Sequence, residues 1–310
     1  MSKHQIEKQV LRFLLAAGGL LVSGVTLAVP FVFSTGNPDG KMATASQPAT
    51  AGKIEIESAD DFVLTSTTAI NSATFTGLLT GGATAANIGG VRVEIYRVFP
   101  NDSDVGRTSG PPTFSTPQVP TRVNSPSDVE LEDRDTAGNN LSFSTHTLNA
   151  SFTAANSVLT GIHPRPGQTT GGEGSVSGTE IEFDVTFTQP LVLAADHYFF
   201  VPQVEITTPD GEFFWLSAPR PIVPPGTAFP MGFTDLQEWI RNENLAPDWL
   251  RVGTDIVGPP ATGGAAPTFN MTFSLTGQTV PEPATLALLS FAFAGIGLVK
   301  RGKPDQQAAA

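Results

Sequence analysis

Residues 180–187 read Glu180-Ile181-Glu182-Phe183-Asp184-Val185-Thr186-Phe187. Every second side chain is apolar, and those between are three acids and a threonine. Alternate side chains of an extended chain point to opposite faces. Ile181, Phe183, Val185 and Phe187 are therefore expected to face a core, with Glu180, Glu182 and Asp184 on the other side. The same period of two runs through Lys53-Ile54-Glu55-Ile56-Glu57, through 73–78 and through 91–99. Further short candidates lie at 141–147, 150–153, 181–188, 197–206, 212–217, 248–252 and 268–276. They are rich in β-branched and aromatic residues and are spaced by Gly, Pro, Asn and Asp. This predicts an all-β domain over residues 46–278, an antiparallel β-sandwich of jelly-roll-like type. One short helix is predicted at 235–242, where Thr234 and Gln237 spell a capping box and Leu236, Trp239 and Ile240 share a face.

Composition fits many turns: the chain has 31 Gly and 26 Pro, and only 15% of its residues are charged. The formal net charge is −12. Both ends are weakly positive, so residues 31–280 carry −15, with Lys41 and Lys53 their only lysines. So acidic a segment is repelled by phosphate backbones, which argues against nucleic acid as a partner. There are no cysteines, which excludes disulfides, thiol catalysis and cysteine-ligated metals.

The front end has Lys3, Lys8 and Arg12, followed by an apolar run from Phe13 to Phe33. This is the pattern of a secretory leader, with residues 1–45 read as signal peptide and linker. Cleavage sites lie after Thr26-Leu27-Ala28 or after Ala43-Thr44-Ala45. An uncleaved anchor helix is the alternative, because the run approaches spanning length.

The back end reads Val280-Pro281-Glu282-Pro283-Ala284-Thr285, then an uncharged apolar run from Leu286 to Val299, then Lys300-Arg301-Gly302-Lys303. Two prolines keep the first part extended. Residues 284–299 as a transmembrane helix cover about 24 Å, a little less than the ~30 Å hydrocarbon core. The basic cluster holds the tail, 304–310, on the cytoplasmic side. The three parts together resemble the PEP-CTERM sorting signal of Gram-negative bacteria that make extracellular polymer. That resemblance implies recognition by an exosortase, a membrane transpeptidase, with Pro281, Glu282 and Pro283 as the recognition element and Lys300 and Arg301 as the stop. It also implies export by the Sec machinery, transient anchoring at the inner membrane, and passage to the cell surface or the extracellular matrix. Extracellular polysaccharide is the partner this setting suggests. The tail beyond Lys303 is longer than is usual for such signals. Asp60-Asp61-Phe62-Val63-Leu64 with Phe75-Thr76-Gly77 is similar to the opening of uncharacterised β-sandwich domains of exported PEP-CTERM proteins.

Two motifs invite chemistry. Glu180, Glu182 and Asp184 fall on one strand face with neighbours two residues apart separated by about 7 Å, within the range of paired carboxylates in glycoside hydrolysis. The stretch is similar to the Glu-x-Asp-x-(x)-Glu strand of laminarinase-like jelly-roll glycosidases, with its acids permuted. The plainer reading is that alternate residues of a half-buried strand are free to be polar. Asp133, Asp135 and Asn139 stand in Asp133-Arg134-Asp135-Thr136-Ala137-Gly138-Asn139-Asn140, an oxygen-rich loop that could take calcium. Ser144 occupies its twelfth position, where an EF-hand has a bidentate Glu. Trp215 and Trp239 are expected in the core; Trp249 is open between core and a sugar-stacking role. No HExxH and no G-x-S-x-G spacing occurs. The sequence therefore favours a non-catalytic surface protein for adhesion, carbohydrate binding or structure, with an extracellular glycosidase as the alternative.

Overall fold

The computed structural model of the chain describes residues 28–50, 52–104, 119–162, 169–219 and 227–281. His163, the span 284–299 and the motif residues Glu282, Pro283, Lys300 and Arg301 lie outside them, as do residues 1–27. Residues Pro30–Thr279 form one compact unit.

Fifteen strands follow in order: β1 (Pro30–Ser34), β2 (Met42–Ala45), β3 (Ile56–Leu64), β4 (Thr68–Leu79), β5 (Ile88–Arg97), β6 (Glu132–Asp135), β7 (Leu141–Ala154), β8 (Asn156–Val158), β9 (Val176–Leu193), β10 (Asp196–Ile206), β11 (Phe213–Ala218), β12 (Trp239–Asn242), β13 (Leu250–Arg251), β14 (Asn270–Met271) and β15 (Phe273–Thr279). They make two sheets. In the first, β4 is the hub. One of its edges runs along β9, which carries β7 beyond it; the other pairs with β15 and then with β11. β15 carries β1, and β11 carries β2 and then β8. The second sheet has the order β13-β12-β3-β10-β5-β6. Every ladder is antiparallel except β2–β8, which is parallel.

The alternation read at 180–187 is realised in β9. Ile181, Phe183, Val185 and Phe187 are buried in a core to which both sheets contribute. Phe75 stacks on Phe183 at 4.7 Å and meets Phe200 of the other sheet at 6.4 Å; Phe200 stacks on Phe273 at 4.9 Å. Aromatic packing of this kind drives the two layers together through apolar burial. Gly77 has a specific role here: a Cβ at that position would lie 2.5 Å from the Phe214 carbonyl oxygen, so only glycine lets β11 pair with β4.

Two expectations are corrected. Residues 235–242 are not a helix. Gln237 has φ +62°, outside helical space, and Trp239–Asn242 is strand β12, paired with β3 in the register Trp239↔Ala59. Both faces of β12 are covered, so its apolar residues do not alternate and their spacing imitates a helix. The ordered unit also begins before residue 46. Phe31 and Phe33, counted above in the leader's apolar run, belong to β1, and Phe33 is a core residue. The short helical turns lie elsewhere, a 3-10 turn at Ala85–Asn87 and a π turn at Val252–Val257.

The two ends of this unit are neighbours. β1 pairs with β15, with Pro30 opposite Gln278. Thr279 in turn faces Thr68 at the start of β4. β4 then runs twelve residues, about 36 Å, to the far pole, where Thr80 N–H donates to the Glu212 carbonyl at 3.0 Å. β3 and β10 run between the same two poles, since Leu64 pairs with Asp196 and Ile56 starts β3 at the far end.

Candidate functional site

The far pole holds the site. It is built on a hairpin leading into β3, closed by Gln47 and Ile56, which exchange backbone bonds at 2.8 and 3.0 Å, and by Thr50 and Lys53 at 3.1 Å. Lys53 reaches from this hairpin to the start of β11. Its ammonium donates to the Gly211 carbonyl and lies 3.3 Å from Glu212 Oε1. Burial pushes the Glu212 carboxyl up, against the charge of Lys53, which pulls it down. Glu212 Oε2 and Thr208 Oγ1 are buried with no hydrogen-bond partner among the described residues.

Two cavities meet at Gly52 and Lys53. One, of about 340 Å³, is lined by Thr50, Glu205, Thr207 and Thr208 among others. The other, of about 400 Å³, is lined by Gln47, Ile54, Glu212, Asn242 and Asn244 among others. Asn242 ends β12, and its side-chain oxygen accepts from the N–H groups of Asn244 (3.1 Å) and Leu245 (3.0 Å), which fixes that rim. The groove thus combines amides, hydroxyls, a lysine and a carboxylate with a small apolar patch. Amides and hydroxyls both donate and accept, so such a lining matches a ligand dense in hydroxyl groups.

The residues singled out by sequence sit elsewhere. Glu180, Glu182 and Asp184 lie on the outer face of β9, and neither cavity is lined by them. Glu180 is buried, and its Oε2 accepts from Asn149 Nδ2. Asp184 lies 3.0 Å from His146 Nε2 on an open face. No tryptophan stands beside them. Trp215, Trp239 and Trp249 are all fully buried, donating to the carbonyls of Thr272, Leu236 and Ser127. Asp133, Asp135 and Asn139 do not converge either. Asp133 is held bidentately by Arg92 at 2.9 and 2.7 Å, Asp135 Oδ1 accepts from Gly138 N–H, and Asn139 takes φ +57° in the turn. Among the described residues no group of three or more His, Cys, Asp or Glu is placed to hold a metal ion.

A second polar assembly lies under the outer face of the second sheet. Arg241 is buried between Tyr96 and Trp249, its guanidinium 4.3 Å from the Trp249 ring. It binds Glu57 through Nε and through Nη2 (2.9 Å), and Nη2 also reaches Tyr96 Oη at 2.8 Å. Burial alone would raise Glu57, but the charge and hydrogen bonds of Arg241 hold it below the ordinary carboxylate range. Glu94 beside it is pushed up to about 9 by burial and by the charge of Glu57. With both acids engaged and every ring enclosed, this assembly has the form of a structural brace.

A two-layer β protein whose first and last strands, β1 and β15, pair side by side is the class these features define. A family model described as the PEP-CTERM protein-sorting motif matches residues 279–301, so the chain carries that motif immediately after β15. The motif marks an exported protein sorted by an exosortase, with its C-terminus held in the membrane before processing. No curated protein and no solved structure matches the chain.

Proposed function

We propose that the chain is a non-catalytic surface or matrix protein whose β-sandwich binds extracellular polysaccharide through the groove around Lys53 and Glu212. The observation that carries this reading is the position of the groove. It lies at the pole opposite the paired ends Pro30 and Gln278, so a domain tethered by its C-terminal tail presents the groove outward. Glu212 and Thr208 each keep a buried oxygen without a partner among the described residues beside the groove, so the lining's polar groups are not saturated by the protein's own hydrogen bonds. The test is retention of the purified protein on the producing organism's own polymer. Asn244→Ala is expected to weaken binding by up to roughly thirty-fold, because the lost amide removes up to two hydrogen bonds worth about 1 kcal/mol apiece. Melting temperature should change little, as Asn244 is exposed and its side chain holds no other part of the rim. Unaltered binding with that amide gone would remove the groove from the account.

Export is taken to use the Sec route, with the leader removed after Ala28 and not after Ala45. Cleavage after Ala45 would cut away β1 and β2, and all four residues of β2 are buried between β11 and β8. The mature chain is thus expected to begin at Val29, as N-terminal sequencing of protein from native cells would show. A chain beginning at Ser46 is expected not to fold. A stable mature form starting there would contradict the assignment.

A further inference from the structure

Of the large apolar residues exposed on the unit Pro30–Thr279, four sit at or beside the end where Pro30 and Thr279 lie: Val32, Val192, Met231 and Phe233. Val32 and Val192 are 64% and 57% exposed, on the outer face of the first sheet. Both map to this end by register, since Val32 faces Thr276, and Ala69 faces both Val192 and Gln278. Phe233 packs edge-on against His197, the second residue of β10, at 5.7 Å. At this end the first sheet and its connections are uncharged, while the adjoining end of the second sheet carries Asp196 and the Arg97–Asp102 pair. The segments 28–34, 65–69, 189–195 and 274–280 hold no charged side chain, within a region of the chain that carries −15. The nearest acid, Asp196, accepts its neighbour's N–H, from His197, at 2.8 Å.

We infer that this end is a membrane-contact surface that lies against the lipid headgroup layer while the tail holds the protein. Three features agree on that occupant. An acidic domain is repelled by anionic lipid, and the four uncharged segments at this end lessen that repulsion where the first sheet would meet the headgroups. Its apolar side chains can enter the headgroup–acyl boundary. The chain continues from it at Val280 into the uncharged run 286–299, which brings a bilayer to this end and no other. The inference rests on the reading that the tail inserts, and is independent of what the groove binds.

The absence of cysteine makes the test direct. Single variants Val32→Cys, Val192→Cys, Ile54→Cys and Ala294→Cys of the full chain each take one environment-sensitive dye. The protein is reconstituted into phosphatidylcholine vesicles that contain a lipid-borne quencher. Dyes at 32 and 192 are expected to be quenched at a depth of roughly 5–10 Å into the boundary, with the dye at 54 unquenched, since Ile54 lines the far cavity. Dyes at 32 and 192 as wet as that at 54, with the dye at 294 quenched, would overturn the contact and leave tail insertion standing. A dye at 294 that also stays wet would overturn both. As a second arm, Val32→Asp with Val192→Asp, dyed at Met231→Cys, is expected to lose its quenching at an unchanged melting temperature. Retained quenching there would show that the valines do not meet lipid.

Discussion

Replacing Arg241 with alanine is expected to destabilise the β domain by roughly 3–5 kcal/mol, the cost of leaving a buried charge without its partner. Glu57 is 3% exposed and has Arg241 as its counter-ion, with Glu94 and Tyr96 closing the remaining space. Without the guanidinium the Glu57 carboxylate is desolvated and uncompensated, and the edge-on rings of Tyr96 and Trp249 lose the cation packed against them. The sign of the pH dependence follows. In the native protein Glu57 has a lowered pKa, so its contribution is present above the unfolded carboxylate value and is lost as pH falls through the folded one. In the variant Glu57 is protonated more readily, so the gap to the native protein should narrow as pH is lowered from 7 toward 4. Replacing Glu57 and Arg241 together by residues of similar volume without charge should recover most of the loss. Thermal melts across pH check all three statements; an Arg241→Ala variant as stable as the native protein at pH 7 would show that the brace carries no load.

The second large effect concerns an acid that the fold holds without compensation. Glu238 is fully buried, its Oε1 accepts from Thr44 Oγ1 at 2.5 Å, and Oε2 has no partner among the described residues. Burial pushes its carboxyl up to about 8, well above 4.5. The folded state therefore binds a proton that the unfolded state releases between these values. Stability from this group is full below pH 4.5 and is lost as pH rises through 8, by at most about 1.4 kcal/mol per pH unit. Asp60, pushed well up by burial and by the charge of Asp61, adds in the same direction. Glu238→Gln keeps the shape and removes the titration. It is expected to match the native protein near pH 4 and to exceed it by up to roughly 4 kcal/mol near pH 8. Parallel stability curves for the two proteins would mean that the carboxyl finds solvent or a counter-charge in the folded state.

Much of the layer structure was legible in sequence because a half-buried strand writes its burial in alternate letters. Residues 180–187 do so, and lie in a strand whose alternate side chains enter the core. The pattern fails where both faces are covered. β3 is buried at all nine positions and β12 at three of four, so Trp239 and Ile240 lie side by side and read as a helix face. β1 was hidden for another reason, since Pro30 to Phe33 continue the apolar run of the leader without a break. The brace was illegible because Glu57, Glu94 and Arg241 sit at positions that open water also permits. Only the packing of Trp249 against Arg241 and Tyr96 reveals their burial. The groove draws on residues 47–56, 205–212 and 242–244, which no local pattern connects; the one hint was that Lys53 is among just two lysines in an acidic segment. The sorting motif, by contrast, is a contiguous run of letters, 279–301, that can be matched without any knowledge of packing.

The most direct test of the account is the intact mass of the protein recovered from native cells, taken separately from the membrane fraction and from the medium or polymer. The account predicts a released form that begins at Val29 and ends between Val280 and Thr285, alongside a membrane form that retains the tail. A full-length tail found in the membrane fraction, with no released form, would make residues 286–299 a permanent anchor and would contradict sorting to the surface.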